Sequence, residues 1–185
     1  MKRIVVAITG ASGVIYGIRL LEELKKENIE THLIISNIAE DIIYHETDYS
    51  LEKVKSLANY YYEEKDLTAV INSGSFEFDC TIIIPCSMKT LSAISNGYAD
   101  NAITRVSDVT LKERRTLILV PRETPLRTIH LKNMTRVSEE GGIILPAMPG
   151  FYHNPQTIDD QVNFIIGKIF DILKINNNLF TKWKQ

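Results

Sequence analysis

The sequence predicts an α/β domain built on one doubly wound, mostly parallel sheet, and three observations predict it. Short apolar runs alternate with amphipathic stretches of helical period along the 185-residue chain. The runs are continuous rather than alternating in polarity, as strands buried on both faces must be. No internal repeat and no low-complexity linker interrupts them, so residues 1–185 read as a single domain with a sizeable core.

Lys2–Thr9 (KRIVVAIT) reads as a buried parallel strand ending at glycine, and Gly10-Ala11-Ser12-Gly13 as a tight turn. Val14, Ile15, Ile18, Leu21 and Leu24 then recur at helical spacing, with Glu22, Glu23, Lys25 and Lys26 on the other side. Thr31–Ser36 is the second strand and Asn37–Glu46 starts the second helix. Ser50–Ala58 has helical character, Asn59–Tyr62 that of a short strand, and Asn72–Ser75 is a loop. Cys80–Pro85 is an apolar strand that stops at proline, and Ser87–Asn96 a helix closed by Gly97. Asp100–Arg115 is a helix, Thr116–Pro121 a strand, Pro125–Glu140 a helix closed by Gly141-Gly142, and Ile143–Pro146 a short strand. Thr157 caps a last helix with apolar positions Val162, Ile165, Ile166, Ile169 and Leu173. Asp160, three residues after the cap, suits the positive end of that helix.

Composition narrows the function classes. Lysine plus arginine total 21 and aspartate plus glutamate 23, a formal net charge of −2. That balance gives no general reason to expect nucleic acid or a membrane surface as partner, so any anion site must come from local placement of basic residues. No basic-then-apolar leader precedes the first strand, and no apolar run approaches the roughly 18 residues of a membrane span; a cytoplasmic protein is expected. Cys80 and Cys86 lie along one predicted strand and its exit, about 20 Å apart when extended, which excludes a bridge within it and leaves two free thiols. His32, His45, His130 and His153 are scattered without metal-ligand spacing, so no metal is expected.

In doubly wound sheets ligands bind beyond the carboxyl ends of the strands, and the unusual residues of this chain fall there. The Gly10–Gly13 turn lets backbone amides approach an anion at the positive end of a helix, and is equally compatible with a tight turn that binds nothing. Its glycines, Gly10, Gly13 and Gly17, do not make the dinucleotide fingerprint G-x-G-x-x-G. The second strand ends Ser36-Asn37, without the acid that would hold an adenosine ribose. Both points weigh against NAD and leave room for a mononucleotide. Pro85-Cys86-Ser87-Met88-Lys89-Thr90 offers hydroxyls and amides either to a phosphate or to the helix Ser87 begins. Cys86, with no histidine beside it in sequence, reads as an inert buried thiol. Pro121-Arg122-Glu123-Thr124-Pro125 places an arginine suited to phosphate beside a glutamate able to move a proton, unless the two form a surface ion pair. The last strand leads into Pro146–Pro155, a proline-rich loop carrying Phe151, Tyr152 and His153. Tyr152 there can hydrogen-bond a phosphate; His153 reads as a partly exposed loop histidine. Neither G-x-x-x-x-G-K-[ST] nor G-x-S-x-G occurs.

Five segments together resemble the flavin prenyltransferase family, often called UbiX: TGASG (9–13), PCSMKT (85–90), ADNAITRVSDVTLKERR (99–115), PRETPLRTIHLKNM (121–134) and LPAMPGFYHNPQTIDD (145–160). The resemblance spans nearly the whole chain and is weakest over 50–75. It implies a flavodoxin-like or Rossmann-like three-layer sandwich, assembled as a homo-oligomer, a dodecamer, with active sites at subunit junctions. It also implies transfer of a dimethylallyl group from dimethylallyl monophosphate to N5 and C6 of reduced FMN without metal. The product would serve a UbiD-type decarboxylase.

Carried over by motif, Gly10, Ala11, Ser12, Ser36, Ser87, Met88, Lys89, Thr90 and Arg122 are implied to contact FMN. Arg105, Lys112, Arg122, Tyr152 and Lys168 are implied to surround the prenyl phosphate. Glu123 is implied to take the proton lost from C6, with Ser12 near N5, and Glu46 to approach a neighbouring subunit's site. Lys168 stands where some members carry arginine, a point charge in place of a fork. Leu67 stands where some carry an aromatic residue, which keeps the wall of the prenyl pocket apolar without a π face. Trp183 offers aromatic surface near the chain end.

Two other activities remain to be distinguished. A flavin-dependent cysteine decarboxylase of the same fold would carry a P-x-M-N loop, where this chain has PAMPGFYH. A non-catalytic flavin carrier would need no second phosphate site.

Overall fold

A computed structural model describes residues 2–183. The elements follow the expected alternation: β1 (Arg3–Ile8), α1 (Val14–Lys26), β2 (Glu30–Ile35), α2 (Asn37–Glu46), α3 (Leu51–Lys55), β3 (Tyr60–Glu63), a 3-10 turn at Val70–Asn72, β4 (Cys80–Cys86), α4 (Met88–Ser95), α5 (Ala102–Lys112), β5 (Thr116–Pro121), α6 (Thr128–Glu139), β6 (Ile143–Ile144) and α7 (Ile158–Leu173). They fall into two compact units, Met1–Pro146 and Ala147–Gln185.

The first unit holds the sheet, ordered β3-β2-β1-β4-β5-β6, with every pairing parallel. The chain winds outward from β1 to β3, returns to lay β4 against the other side of β1, and winds outward again. The topological switch therefore falls between β1 and β4. Side chains alternate across each strand. Val5, Ala7, Ile34, Ile83, Leu117 and Leu119 face α4, α5 and α6, packing on Leu91, Ile94, Ile103, Val106, Val109 and Val137. The opposite face meets α1, which lies on β1, β2 and β4. A Cβ on Gly17 would sit 2.5 Å from the Ile84 carbonyl oxygen and 2.8 Å from Ile8 Cγ1, so glycine lets this helix lie directly on the strands.

Several boundaries differ from those expected: the helix expected over Ser50–Ala58 is confined to Leu51–Lys55, that over Asp100–Arg115 to Ala102–Lys112, and the strand at Asn59–Tyr62 lies one residue later, at Tyr60–Glu63. β4 does not stop at Pro85 but runs to Cys86, where its register with β5 shifts and Cys86 pairs with Pro121. The helix expected from Pro125 begins at Thr128, because Arg127 is still extended and its N–H donates to His130 Nδ1 at 3.3 Å, which sets the first turn there. The strand expected over 143–146 is confined to Ile143–Ile144. Cys80 and Cys86 are both buried free thiols.

In the second unit Thr157 caps α7 as expected. Its hydroxyl accepts from Asp160 N–H at 3.1 Å while the Asp160 carboxylate accepts from Thr157 N–H at 2.9 Å. Backbone donors at Gln156 and Thr157 hold that carboxyl below its ordinary range. Among the described residues no helix is long and apolar enough to cross a membrane.

Away from the strand ends that carry the loops, the sheet buries a polar network. His32, 2% exposed, stacks on Tyr60 at 4.7 Å. Its Nδ1 lies 2.9 Å from the Tyr62 hydroxyl and its Nε2 2.9 Å from Glu30 Oε1, and Arg3 Nε donates to the same carboxylate at 2.6 Å. Burial pushes the His32 pKa below its ordinary 6.5 despite the Glu30 bond. The Arg3 bond, then His32, hold Glu30 below its ordinary 4.5. The sign follows: below about pH 6.5 the unfolded chain binds a proton that native His32 refuses, so stability is full above that value and falls as the pH drops toward the native pKa. Glu30 adds a further loss at lower pH, as it protonates. Urea midpoints at about pH 8 and about pH 5.5 should differ more for the wild-type chain than for His32→Phe; equal losses would remove His32 as the source.

Candidate active site

The parallel registers align the carboxyl ends of the strands on one rim. Ile8 pairs with Ile35, Ile35 with Glu63, Cys86 with Pro121 and Leu119 with Ile144. The loops after Ile8, Cys86 and Pro121 are among the segments singled out in the sequence.

Thr9 locks the switch point. Its hydroxyl, 1% exposed, donates to the Pro85 carbonyl at 2.8 Å and accepts from Ser87 N–H at 2.8 Å, while its own N–H reaches the same carbonyl at 3.2 Å. The Gly10–Gly13 turn is thereby fixed against the Ser87 turn. No local signal marks this role, since the partners lie 76 and 78 positions away. Gly13 caps α1 at φ +97°, a left-handed conformation that favours glycine. Its N–H donates to Glu46 Oε2 at 2.7 Å. The turn thus already directs a backbone donor at an anionic oxygen, and Glu46 engages the loop of its own chain.

Arg122 joins the third strand end to the first two. Its Nε donates to the Ser12 carbonyl at 3.1 Å and its N–H to the Cys86 carbonyl at 3.4 Å. Its terminal nitrogens make no hydrogen bond among the described residues. Glu123 does not pair with Arg122; it is exposed, and its Oε1 accepts from Thr124 N–H at 3.0 Å. Ser87 caps α4, accepting from Thr90 N–H at 3.2 Å and donating to Thr90 Oγ1 at 3.0 Å. Ser36 caps α2 the same way, accepting from Ala39 N–H at 3.3 Å. Met88 packs partly buried against the core and Lys89 is exposed beside it. Gly10 and Ala11 sit at the turn between β1 and α1, and Ser12 is exposed on it. Burial pushes the Cys86 thiol up to about 12, an inert group rather than a nucleophile.

The other expected site residues are not gathered at this rim within the first unit. Arg105 pairs with Asp108 at 2.7 Å and Lys112 with Glu113. They stand two turns apart on α5, about 10 Å. The helix starts near the rim, where Ala102 N–H donates to the Glu64 carbonyl, and ends beside the amino end of β5. Lys112 is therefore roughly a strand length, about 20 Å, from the loops. Tyr152 and Lys168 belong to the second unit, where Tyr152 packs on Phe164 at 5.6 Å and the Lys168 ammonium lies 5.9 Å from the Phe180 ring centre. Leu67 is half exposed.

Helix N-termini, a donor-lined glycine turn and an arginine converge at the switch point of a parallel doubly wound sheet that lacks the dinucleotide fingerprint. This set fits a phosphate-bearing mononucleotide, and it defines a mononucleotide-binding α/β protein. The sequence profile of the Flavoprotein family matches residues 1–175. The flavin prenyltransferase UbiX of Methanothermobacter thermautotrophicus is 55% identical over 183 residues, covering 99% of this chain and 96% of that protein. The crystal structure of AnUbiX (PadA1) in complex with FMN and dimethylallyl pyrophosphate superposes with a TM-score of 0.97 at 46% identity, over 100% of this chain and 98% of that one. A dodecameric FMN-dependent UbiX-like decarboxylase from Escherichia coli O157:H7 superposes with a TM-score of 0.96 at 44% identity, over 99% and 100%. The chain belongs to the Flavoprotein family and, within it, to the UbiX flavin prenyltransferases.

Thr9→Val should cost about 1–3 kcal/mol in chemical denaturation and weaken flavin binding. Thr31→Val removes an equally buried hydroxyl at the far end of the sheet and should leave flavin binding intact. Equal flavin affinity in the two variants would show that the Thr9 bonds do not shape the site.

Proposed function

We infer that the chain joins a dimethylallyl group from dimethylallyl monophosphate to N5 and C6 of reduced FMN, making prenylated FMN, the cofactor of UbiD-type decarboxylases. The observation that carries this reading is the reach of Arg122 to Ser12 at 3.1 Å, with Glu123 next in the chain. That contact holds a cation at the glycine turn, with a carboxylate-bearing residue next in sequence, in a chain that matches flavin prenyltransferases from end to end. A flavin carrier has no use for that pair, and a cysteine decarboxylase would not share such identity with prenyltransferases.

The roles follow from the chemistry. Gly10, Ala11, Ser12, Ser36, Ser87, Met88, Lys89 and Thr90 hold FMN, with Ser12 next to N5. Breaking the allylic carbon–oxygen bond leaves a phosphate whose charge must be met by donors already in place. Arg122, Arg105, Lys112, Lys168 and the Tyr152 hydroxyl meet it without a metal. Lys112 lies about 20 Å from the loops of its own chain, so α5 presents Arg105 and Lys112 to the pocket of a neighbouring copy, in a homododecamer whose sites lie at subunit junctions. Glu46 stands at such a junction and steadies the turn through Gly13. Glu123 accepts the proton lost from C6; its carboxylate is exposed and, among the described residues, bonded only to its neighbour's amide, and therefore able to swing. Residues 1–185 act as one flavoprotein domain, a reading supported by a family match that runs unbroken across both compact units. The protein works in the cytoplasm, where its free thiols stay reduced.

Anaerobic incubation with reduced FMN and dimethylallyl phosphate, followed by mass spectrometry of the released flavin, tests the reading. The wild-type chain should give the dimethylallyl adduct; unmodified FMN from flavin-loaded protein would contradict it. Glu123→Gln should bind FMN normally and fail to deliver the four-ring product, and normal delivery would remove Glu123 from the reaction. Lys168→Ala should weaken prenyl phosphate binding by roughly 10–100-fold with FMN affinity unchanged; equal losses would point to a stability role.

A further inference from the structure

Within the second unit two rings stack face to face: His153 lies on Phe164, centroids 5.1 Å apart and planes 13° from parallel. Tyr152 packs edge-on against both, at 5.9 Å and 78° from His153 and 5.6 Å and 75° from Phe164. Trp183 meets Tyr152 edge-on at 5.5 Å, and Phe180 closes the cluster, 5.0 Å from Phe164. The backbone is fitted to these rings. A Cβ on Gly150 would lie 3.1 Å from Phe164 Cζ and 3.2 Å from Tyr152 Cε1.

Two facts give the arrangement a direction. Both ring nitrogens of His153 are buried and bonded to nothing in the described residues, so this imidazole acts through its face and edge. Tyr152 is gripped on its ring, yet 44% of the residue stays exposed and its hydroxyl makes no hydrogen bond among the described residues. Edge-to-face contacts are directional because the ring quadrupole sets the approach, so a ring held by several of them has little freedom to turn.

We propose that His153 is a positioning residue: stacked on Phe164, it fixes the Tyr152 ring and so the point at which the phenol hydroxyl meets the prenyl phosphate. This rests on the reading of Tyr152 as a ligand of that phosphate. What is needed at 153 is a flat ring, so phenylalanine replaces histidine there and alanine does not.

The test is steady-state kinetics of the full chain with saturating reduced FMN and varied dimethylallyl phosphate. His153→Ala should raise KM for the prenyl phosphate roughly tenfold, with kcat and FMN affinity within about twofold. His153→Phe should bring KM back to within about twofold of wild type. The double variant Tyr152→Phe/His153→Ala should be no worse than Tyr152→Phe alone, because the effect of His153 passes through that hydroxyl. Additive losses, an unchanged KM in His153→Ala, or a His153→Phe as impaired as His153→Ala would each overturn the proposal. Should His153→Ala fail to fold, Gly150→Ala presses on the same two rings and should raise the same KM, and an unchanged value there overturns it as well. Failure of the underlying reading is seen separately, as an unchanged KM in Tyr152→Phe by itself.

Discussion

The rim depends on one buried hydroxyl. At the switch point β1 and β4 lie side by side, and the loops leaving them head toward helices on opposite faces of the sheet. Such a junction would splay without a tie. The Thr9 side chain supplies it by donating across to β4 and accepting from the first amide beyond β4. With both hydrogen-bonding directions used in a site closed to water, neither bond can be exchanged for a solvent bond without leaving a buried group unpaired. The glycine turn, the Ser87 cap and, through Ser12, the Arg122 guanidinium inherit their positions from that tie.

The chemistry then follows from what the rim leaves available. Caps engage the serine hydroxyls of the rim: Ser36 accepts from Ala39 N–H, and Ser87 accepts from Thr90 N–H and donates to Thr90 Oγ1. Among the described residues the terminal nitrogens of Arg122 are left over, and the exposed Glu123 carboxylate takes up the Thr124 amide. The Gly13 amide binds the Glu46 carboxylate in this chain, so the turn suits negative charge by its geometry. A phosphate-leaving reaction needs fixed positive charge where the anion departs and a mobile base where a proton departs. The arginine is tethered to another loop, whereas the glutamate is exposed and bonded to the amide of the next residue.

Legibility in the sequence tracked locality. Strand exits were readable because proline and glycine punctuate them, and the caps at Ser87 and Thr157 were readable because a cap and its partner lie three residues apart; Ser36, which caps α2, reads in the sequence as the end of a strand. The Asp160 contact at Thr157 is of that kind. The start of α6 was misplaced because Pro125 suits a first helical turn, whereas the turn is set by His130 accepting from Arg127. The end of β4 was misplaced because proline suggests a stop, whereas an irregular register carries Pro85 within the strand. Thr9 was invisible as a tie, and so was the burial of His32 among Tyr60, Tyr62 and Glu30, because both depend on contacts tens of residues away. Arg105, Lys112 and Lys168 carried no local signal at all; only likeness to a family marked them. His153 was legible as a loop histidine, but its stack on Phe164 was not, since a loop and a helix must fold together to make it.

The most direct test of the central claim, that these loops hold a flavin ring beside a separate cationic pocket, is a crystal structure of the assembled protein with FMN and dimethylallyl phosphate. The flavin ring is expected against Gly10–Gly13, with the phosphate of the second substrate within hydrogen-bond distance of Arg122, Tyr152 and Lys168 drawn from adjoining copies. Finding those three side chains on unrelated surfaces of the assembly, with the phosphate bound elsewhere, would contradict it.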